Sequence, residues 1–175
     1  MKESTTTLAA ILTKAMQLER DGHAFYLEAA EQTQSEAGRN MYLSLARDEL
    51  QHLQILDEAY RSWLGEGVWP SAEDLALEGG RRWPVFPPPG QAAESVTPRT
   101  GELDALRQGI ASEEASITLY QQGLETAPTP EARKLYQYLV EQEEGHRTIL
   151  EGEYDYLTNT GFWFDLREFD LEAMS

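Results

Sequence analysis

Two short stretches, LARDELQHLQIL at 45–56 and LVEQEEGHRTIL at 139–150, each place a glutamate three residues before a histidine. The pairs are Glu49 with His52 and Glu143 with His146. On a helix that spacing puts both side chains on one face, one turn apart. Leu45 and Leu56 share the face in the first stretch, so it points into a core. A carboxylate and an imidazole buried there need partners or a metal, because an unpaired buried charge is costly. The second stretch repeats the first at an offset of 94 residues, and the same offset carries Glu19 onto Glu113. Four carboxylates and two imidazoles related by a near-twofold repeat can surround two metal ions in a helical core. Carboxylates can bridge the cations, and each ion receives one His. A lone Glu-x-x-His is a weak signal; two of them, with two matched Glu at one offset, are a strong one.

Positioning these donors takes four helices. Leu8, Leu12, Ala15, Gly22, Tyr26 and Ala29 recur at helical spacing in 4–34, with Ser4 to Thr7 as N-cap candidates. TQSEAGRN (33–40) is a polar break. A second stripe runs through Met41, Leu45, Glu49, His52, Leu56, Tyr60 and Trp63. Residues 65–101 hold six of the eight prolines, which makes them a connector too long for a tight turn, with SAEDLAL (71–77) as one short helix within it. A third stripe runs Leu103, Leu106, Ile110, Glu113, Ser116, Tyr120 and Leu124. Pro130 is placed to start the fourth, which runs Leu135, Leu139, Glu143, His146, Leu150 and Leu157. The expected organisation is a single domain over 1–175: a helix pair at 4–64, the connector at 65–101, a second pair at 102–158, and an aromatic C-terminal tail at 159–175.

The second helix pair reads as a duplicate of the first. Eight of the 22 positions in 39–60 are identical to their counterparts 94 residues on, where chance would give about one or two. Among them are Tyr42 with Tyr136 and Leu45 with Leu139. The offset also takes Tyr26 to Tyr120 and Leu12 to Leu106, and even Gly67 and Trp69 to Gly161 and Trp163.

Composition narrows the function. With 31 acidic against 14 basic residues, the net charge is −17, which disfavours nucleic acid and anionic membranes as partners and favours cations. The absence of Cys removes disulfides, thiolate metal sites and thiol catalysis from this chain. No stretch approaches a membrane-spanning length and the N-terminus lacks a signal-peptide pattern, so the expected location is cytoplasmic.

The chain resembles the ferritin-like superfamily, most closely rubrerythrin-type proteins. ERDGHAFYLEAA (19–30) is similar to their first-helix signature and EEASITLY (113–120) to its third-helix equivalent; the likeness runs from about residue 5 to residue 157. It implies an all-α, ferritin-like four-helix bundle with one long crossover between helices 2 and 3. It implies that Glu19, Glu49, His52, Glu113, Glu143 and His146 ligate two iron ions per chain, with manganese or zinc as alternatives, and that Glu49 and Glu143 bridge them. Tyr26 and Tyr120 match tyrosines that line the pocket. Both are also core positions, so packing and a redox or hydrogen-bonding role are both open.

Two departures from the rubrerythrin pattern stand out. There is no Cys₄ iron domain, and an additional third-helix Glu is replaced by Ser116, with Gly22 as its twin. The six-residue set is similar to symmetric bacterioferritin-type sites, while the connector and tail argue against assembly into a storage shell.

A carboxylate-rich site with one imidazole per metal suits iron or manganese by ligand type, although affinity alone favours zinc. The expected function is a di-iron or di-manganese carboxylate oxidoreductase that reduces peroxide or O₂, with electrons from an external donor. The alternatives are an iron-handling protein with ferroxidase activity and a metal-stabilised interaction module. His23, whose repeat partner is Ile117, is expected at the rim rather than on a metal. Glu114 and Glu144 point about 100° away from the neighbouring donors and are expected in solvent. Trp63, Trp69, Trp83 and Trp163 are expected in packing or in a homodimer contact.

Overall fold

The computed structural model describes residues 2–77 and 100–160. The Pro-rich part of the connector, with Trp83, and the segment carrying Gly161 and Trp163 lie outside the described residues. Four helices make up almost all of the rest: α1 (Lys2–Gln32), α2 (Glu36–Glu66), α3 (Thr100–Thr126) and α4 (Pro130–Thr160). No strand occurs among the described residues, and none of the described helices is long and apolar enough to cross a membrane.

Local chemistry sets the helix ends. The polar break before α2 shrinks to Thr33–Ser35, because Ser35 caps the helix: its φ of −80° and ψ of 128° are extended, and its Oγ accepts from the Gly38 N–H at 3.2 Å. Gly38 therefore belongs to the first turn of α2. At the other end Gly67 takes a left-handed φ of 71° and its N–H returns to Trp63 O at 3.0 Å. Pro130 opens α4, with Thr129 Oγ1 accepting from Ala132 N–H at 3.1 Å. Helix α1 begins at Lys2, so Ser4 to Thr7 fall inside it rather than capping it. The short helix expected at 71–77 is only a turn. Ser71 and Asp74 bond one another, and Ala76, at φ 52°, stops propagation.

Helices α1 and α2 pack as one hairpin and α3 and α4 as another, and the hairpins meet through α1 and α3. Three side-chain hydrogen bonds set the direction of that contact: Thr33 to Glu102 (3.0 Å), Tyr26 to Glu113, and Tyr120 to Glu19. Rising numbers on α1 meet falling numbers on α3, so the two helices run antiparallel.

The bundle interior is apolar at both ends and polar in the middle. One cluster gathers Leu8, Leu12, Ala15, Leu56, Trp69, Tyr120, Leu135 and Leu139, and the other gathers Tyr26, Met41, Tyr42, Leu45, Leu106, Ile149 and Leu150. Each spans both hairpins, so burial of these side chains, roughly 1.5–3 kcal/mol for each large aliphatic one, holds the duplicated halves together around the polar layer.

Candidate metal centre

Glu19 comes from α1, Glu49 and His52 from α2, Glu113 from α3, and Glu143 and His146 from α4. All six are buried, none more than 3% exposed. Their donor atoms fall into two groups, Glu19–Glu49–His52–Glu143 and Glu49–Glu113–Glu143–His146, with the atoms of each group within 4.8 Å of one another. Glu49 and Glu143 belong to both groups.

The repeat is visible in the geometry. His52 Nδ1 lies 3.0 Å from Glu143 Oε1 and 3.5 Å from Glu19 Oε2. His146 Nδ1 lies 2.9 Å from Glu143 Oε2, 3.0 Å from Glu49 Oε1 and 3.8 Å from Glu113 Oε1. The two rings stack with centroids 5.5 Å apart. Glutamate and tyrosine seven residues apart lie two turns along one helix, and this spacing builds a reciprocal pair across the α1–α3 contact. Tyr26 donates to Glu113 Oε1, and Tyr120 donates to Glu19 Oε1.

Electrostatics show what the layer lacks. Burial, then Glu143 and the other carboxylates, pushes Glu49 well above its ordinary 4.5, and burial with Glu143 does the same to Glu113. Burial would also raise Glu143, but the imidazoles of His52 and His146, one near each of its oxygens, outweigh it and hold that carboxyl well below the usual range. For both histidines, burial opposes the charge and the carboxylates override it, Glu143 foremost, so both sit well above 6.5. Protons on the imidazoles thus supply the positive charge that this acidic layer demands.

The donor set passes a test of fit to two cations. Glu19 Oε2, Glu49 Oε1, His52 Nδ1 and Glu143 Oε1 are buried without an aligned hydrogen bond, although carboxylate and ring atoms crowd within 3.0–3.5 Å. Cations between these atoms would satisfy them and displace the ring protons. Oxygen donors with one imidazole nitrogen per ion match iron or manganese by type.

The other singled-out residues sort as follows. His23 is half-buried, with Nδ1 2.6 Å from Ala46 O, and belongs to neither donor group. Glu114 and Glu144 are exposed, and Ser116 is buried on α3. Trp63 and Trp69 pack into the first apolar cluster.

Sequence reasoning missed two residues. Asp48 lies 3.5 Å from His146 Nε2, and the repeat hides it because its counterpart is Gln142. Its place directly before Glu49 was the available signal. Gly22 is the second, noted in the sequence only for its place on the stripe and as the twin of Ser116: a Cβ there would stand 3.1 Å from Glu49 Oε2, so the missing side chain leaves room for that carboxylate.

The family model described as Rubrerythrin matches residues 10–154. A solved structure of a hypothetical protein from Pyrococcus furiosus is similar, with 26% identity and a TM-score of 0.66 over 87% of this chain and 90% of that chain. No curated protein matches. The family match and the four helices agree on an all-α, ferritin-like bundle.

Proposed function

The chain belongs to the rubrerythrin family, and from that premise we propose that it is a di-iron carboxylate oxidoreductase that reduces hydrogen peroxide or O₂. The observation that carries the reading is the sharing of Glu49 and Glu143 between two buried donor groups, each with its own histidine. A pair of cations with common bridging carboxylates fits that arrangement better than a single ion does. Manganese could take the place of iron. Two iron ions bound there would supply the two electrons that peroxide reduction requires.

The chain's own groups set the conditions. In this reading Glu19, Glu49, His52, Glu113, Glu143 and His146 would hold the two ions, with Glu49 and Glu143 shared between them. Four carboxylate charges balance two divalent ions and favour the more positive oxidised state. Tyr26 and Tyr120 keep their protons, because burial and then the neighbouring glutamates push both phenols well above 10. Each can therefore hold one oxygen of Glu113 or Glu19, leaving the other oxygen of that carboxylate for metal. The apolar clusters above and below the layer exclude water, which strengthens every charge interaction inside it. An external electron donor and a cytoplasmic location complete the reading.

A second reading, iron handling with ferroxidase activity, draws on Ser116. This buried position holds a serine where the resemblance expects a further carboxylate, and such a site would react less readily with peroxide.

Anaerobic loading with Fe(II), desalting and metal analysis test the site, with two ions per chain expected. Optical titration of the loaded protein with H₂O₂ and with O₂ then tests the chemistry. Zero or one ion in folded protein would sink the dimetal site. Many ions per chain would favour iron handling, and no optical change with either oxidant would reduce the metal to a structural tie.

A further inference from the structure

Ring contacts continue outward from Tyr120, away from the carboxylate layer. The Tyr120 and Tyr136 centroids are 6.5 Å apart, those of Tyr136 and Trp69 6.4 Å, and those of Trp69 and Trp63 5.9 Å. Tyr120 and Tyr136 are fully buried, Trp69 is 6% exposed, and Trp63 is half-buried in the last turn of α2. The inner end of this row is the hydrogen bond from Tyr120 to Glu19.

Packing alone explains the row poorly. The hydroxyl of Tyr136 and the Nε1–H of Trp69 are buried without a hydrogen-bond partner among the described residues. Leaving such a group unpaired costs stability, which an apolar ring of similar size would avoid. Gly123 adds to the cost. It gives up helix propensity, and a Cβ there would stand 2.5 Å from the Tyr136 ring.

We propose that Tyr120, Tyr136, Trp69 and Trp63 form an electron path between the carboxylate layer and the end of α2. The role of the path in the protein rests on the function proposed above. Its proton balance follows from the chemistry of the rings. When Tyr120 gives one electron to an oxidant held in the layer, its phenol proton would pass to Glu19 Oε1, its existing acceptor, and a neutral tyrosyl radical would remain. Trp69 then gives one electron to Tyr120, which recovers its proton from Glu19. Trp69 needs no acceptor, because an oxidised indole can keep its N–H proton as a radical cation. Tyr136 is different: a phenol must lose its proton on oxidation, and its hydroxyl has no acceptor among the described residues. It therefore serves as the bridge across which the electron passes, without itself being oxidised. Trp63 refills Trp69, and a one-electron donor at the protein surface refills Trp63. For each electron moved, the donor is oxidised once, the centre is reduced once, and no proton leaves the path.

The cysteine-free chain permits a direct test. In full-length protein without added metal, Glu66→Cys offers one attachment point for a ruthenium photo-oxidant, at an exposed residue one turn from Trp63. After flash-quench, transient absorption and EPR are expected to show a tryptophan radical that gives way to a tyrosyl radical. The tyrosyl signal should be lost in Tyr120→Phe, in Trp69→Phe and in Trp63→Phe, with circular dichroism confirming that each is folded. It should persist in Tyr136→Phe. Survival of the signal in Tyr120→Phe, Trp69→Phe or Trp63→Phe overturns the path, and so does its absence from the parent chain. Loss in Tyr136→Phe overturns the bridge assignment. Trp63, at the half-buried end, keeps the test decisive should Trp69→Phe fail to fold. Because no metal takes part, failure of the path and failure of the proposed oxidoreductase reading are told apart: a chain that passes this test yet binds no iron loses only the latter.

Discussion

Asp48 reaches from α2 to within 3.5 Å of Nε2 of His146 on α4. The opposite nitrogen of that ring faces Glu49 and Glu143, so Asp48 stands behind the candidate ligand atom. A carboxylate in that position fixes the tautomer and orientation of the ring and makes it a stronger donor. The repeat puts neutral Gln142 at the equivalent place in the other half. The two halves therefore share six donors but differ behind them, and two ions should bind with unequal affinity. Replacement of Asp48 by Asn is expected to weaken one of them by about 10–100-fold and leave the other nearly unchanged. Mn(II) isotherms, reading the free ion by EPR, would show this. Equal loss at both ions would remove Asp48 from that role.

Gly22 sits where a Cβ would come 3.1 Å from Glu49 Oε2. Alanine there gains up to about 1 kcal/mol of helix propensity. The end of the glutamate is flexible and can give by a few tenths of an ångström, but only by leaving its place between the two donor groups. Gly22→Ala should thus preserve or raise the melting temperature of the metal-free chain while lowering metal affinity. Unchanged affinity would mean that Glu49 has more latitude than a bridging position permits.

The opposite balance holds at Gly123. Its added Cβ would lie 2.5 Å from the ring of Tyr136, which is fully buried and cannot retreat. Overpacking of that kind costs about 1–3 kcal/mol, more than the gain of about 1 kcal/mol in propensity. Urea unfolding should show Gly123→Ala to be net destabilised. A stabilised variant would indicate that Tyr136 has free space beside it.

The bundle and the clustering of four Glu and two His in its core were legible because duplication wrote them twice. A residue kept at both ends of one offset, on a helical stripe, is constrained by the shared core, and Glu19, Glu49 and His52 announce themselves through Glu113, Glu143 and His146. The same filter concealed whatever breaks the symmetry. Asp48 has Gln142 for a twin and so did not stand out, and Gly22, noted as the twin of Ser116, carried no sign of its approach to Glu49. The tyrosine–glutamate crossing of α1 and α3 depends on antiparallel register, which spacing within one helix does not contain. The turn at 71–77 was read as a helix because its composition suits one; the left-handed φ at Ala76 is a tertiary outcome that propensity does not carry.

Finally, the carboxylate layer should make metal-free stability and the metal-induced shift depend on pH in opposite senses. In the metal-free chain Glu49 and Glu113 lie above 4.5 and His52 and His146 above 6.5. A raised folded-state pKa means that the folded form holds protons more tightly than the unfolded one. Stability from these four groups is fully present below their unfolded values and is lost as pH rises through the folded ones. Glu143 is depressed, so its contribution is present above 4.5 and is lost only as pH falls through its low folded value. Metal-free protein should therefore be most stable in mild acid, with a melting temperature that falls as pH rises above the unfolded values of the glutamates and then of the histidines. Cations bind the deprotonated donors, so the shift they produce should grow over the same interval. At a free concentration of about 100 times Kd it should reach about 2.7 kcal/mol for each ion bound. Glu113→Gln, with one carboxylate fewer, should flatten the metal-free decline and reduce the metal-induced shift. Thermal melts across pH, with and without Mn(II), decide the matter: a metal-free chain whose stability rises toward alkaline pH, or a metal shift that shrinks there, would show that the buried glutamates and histidines do not share protons as their geometry requires.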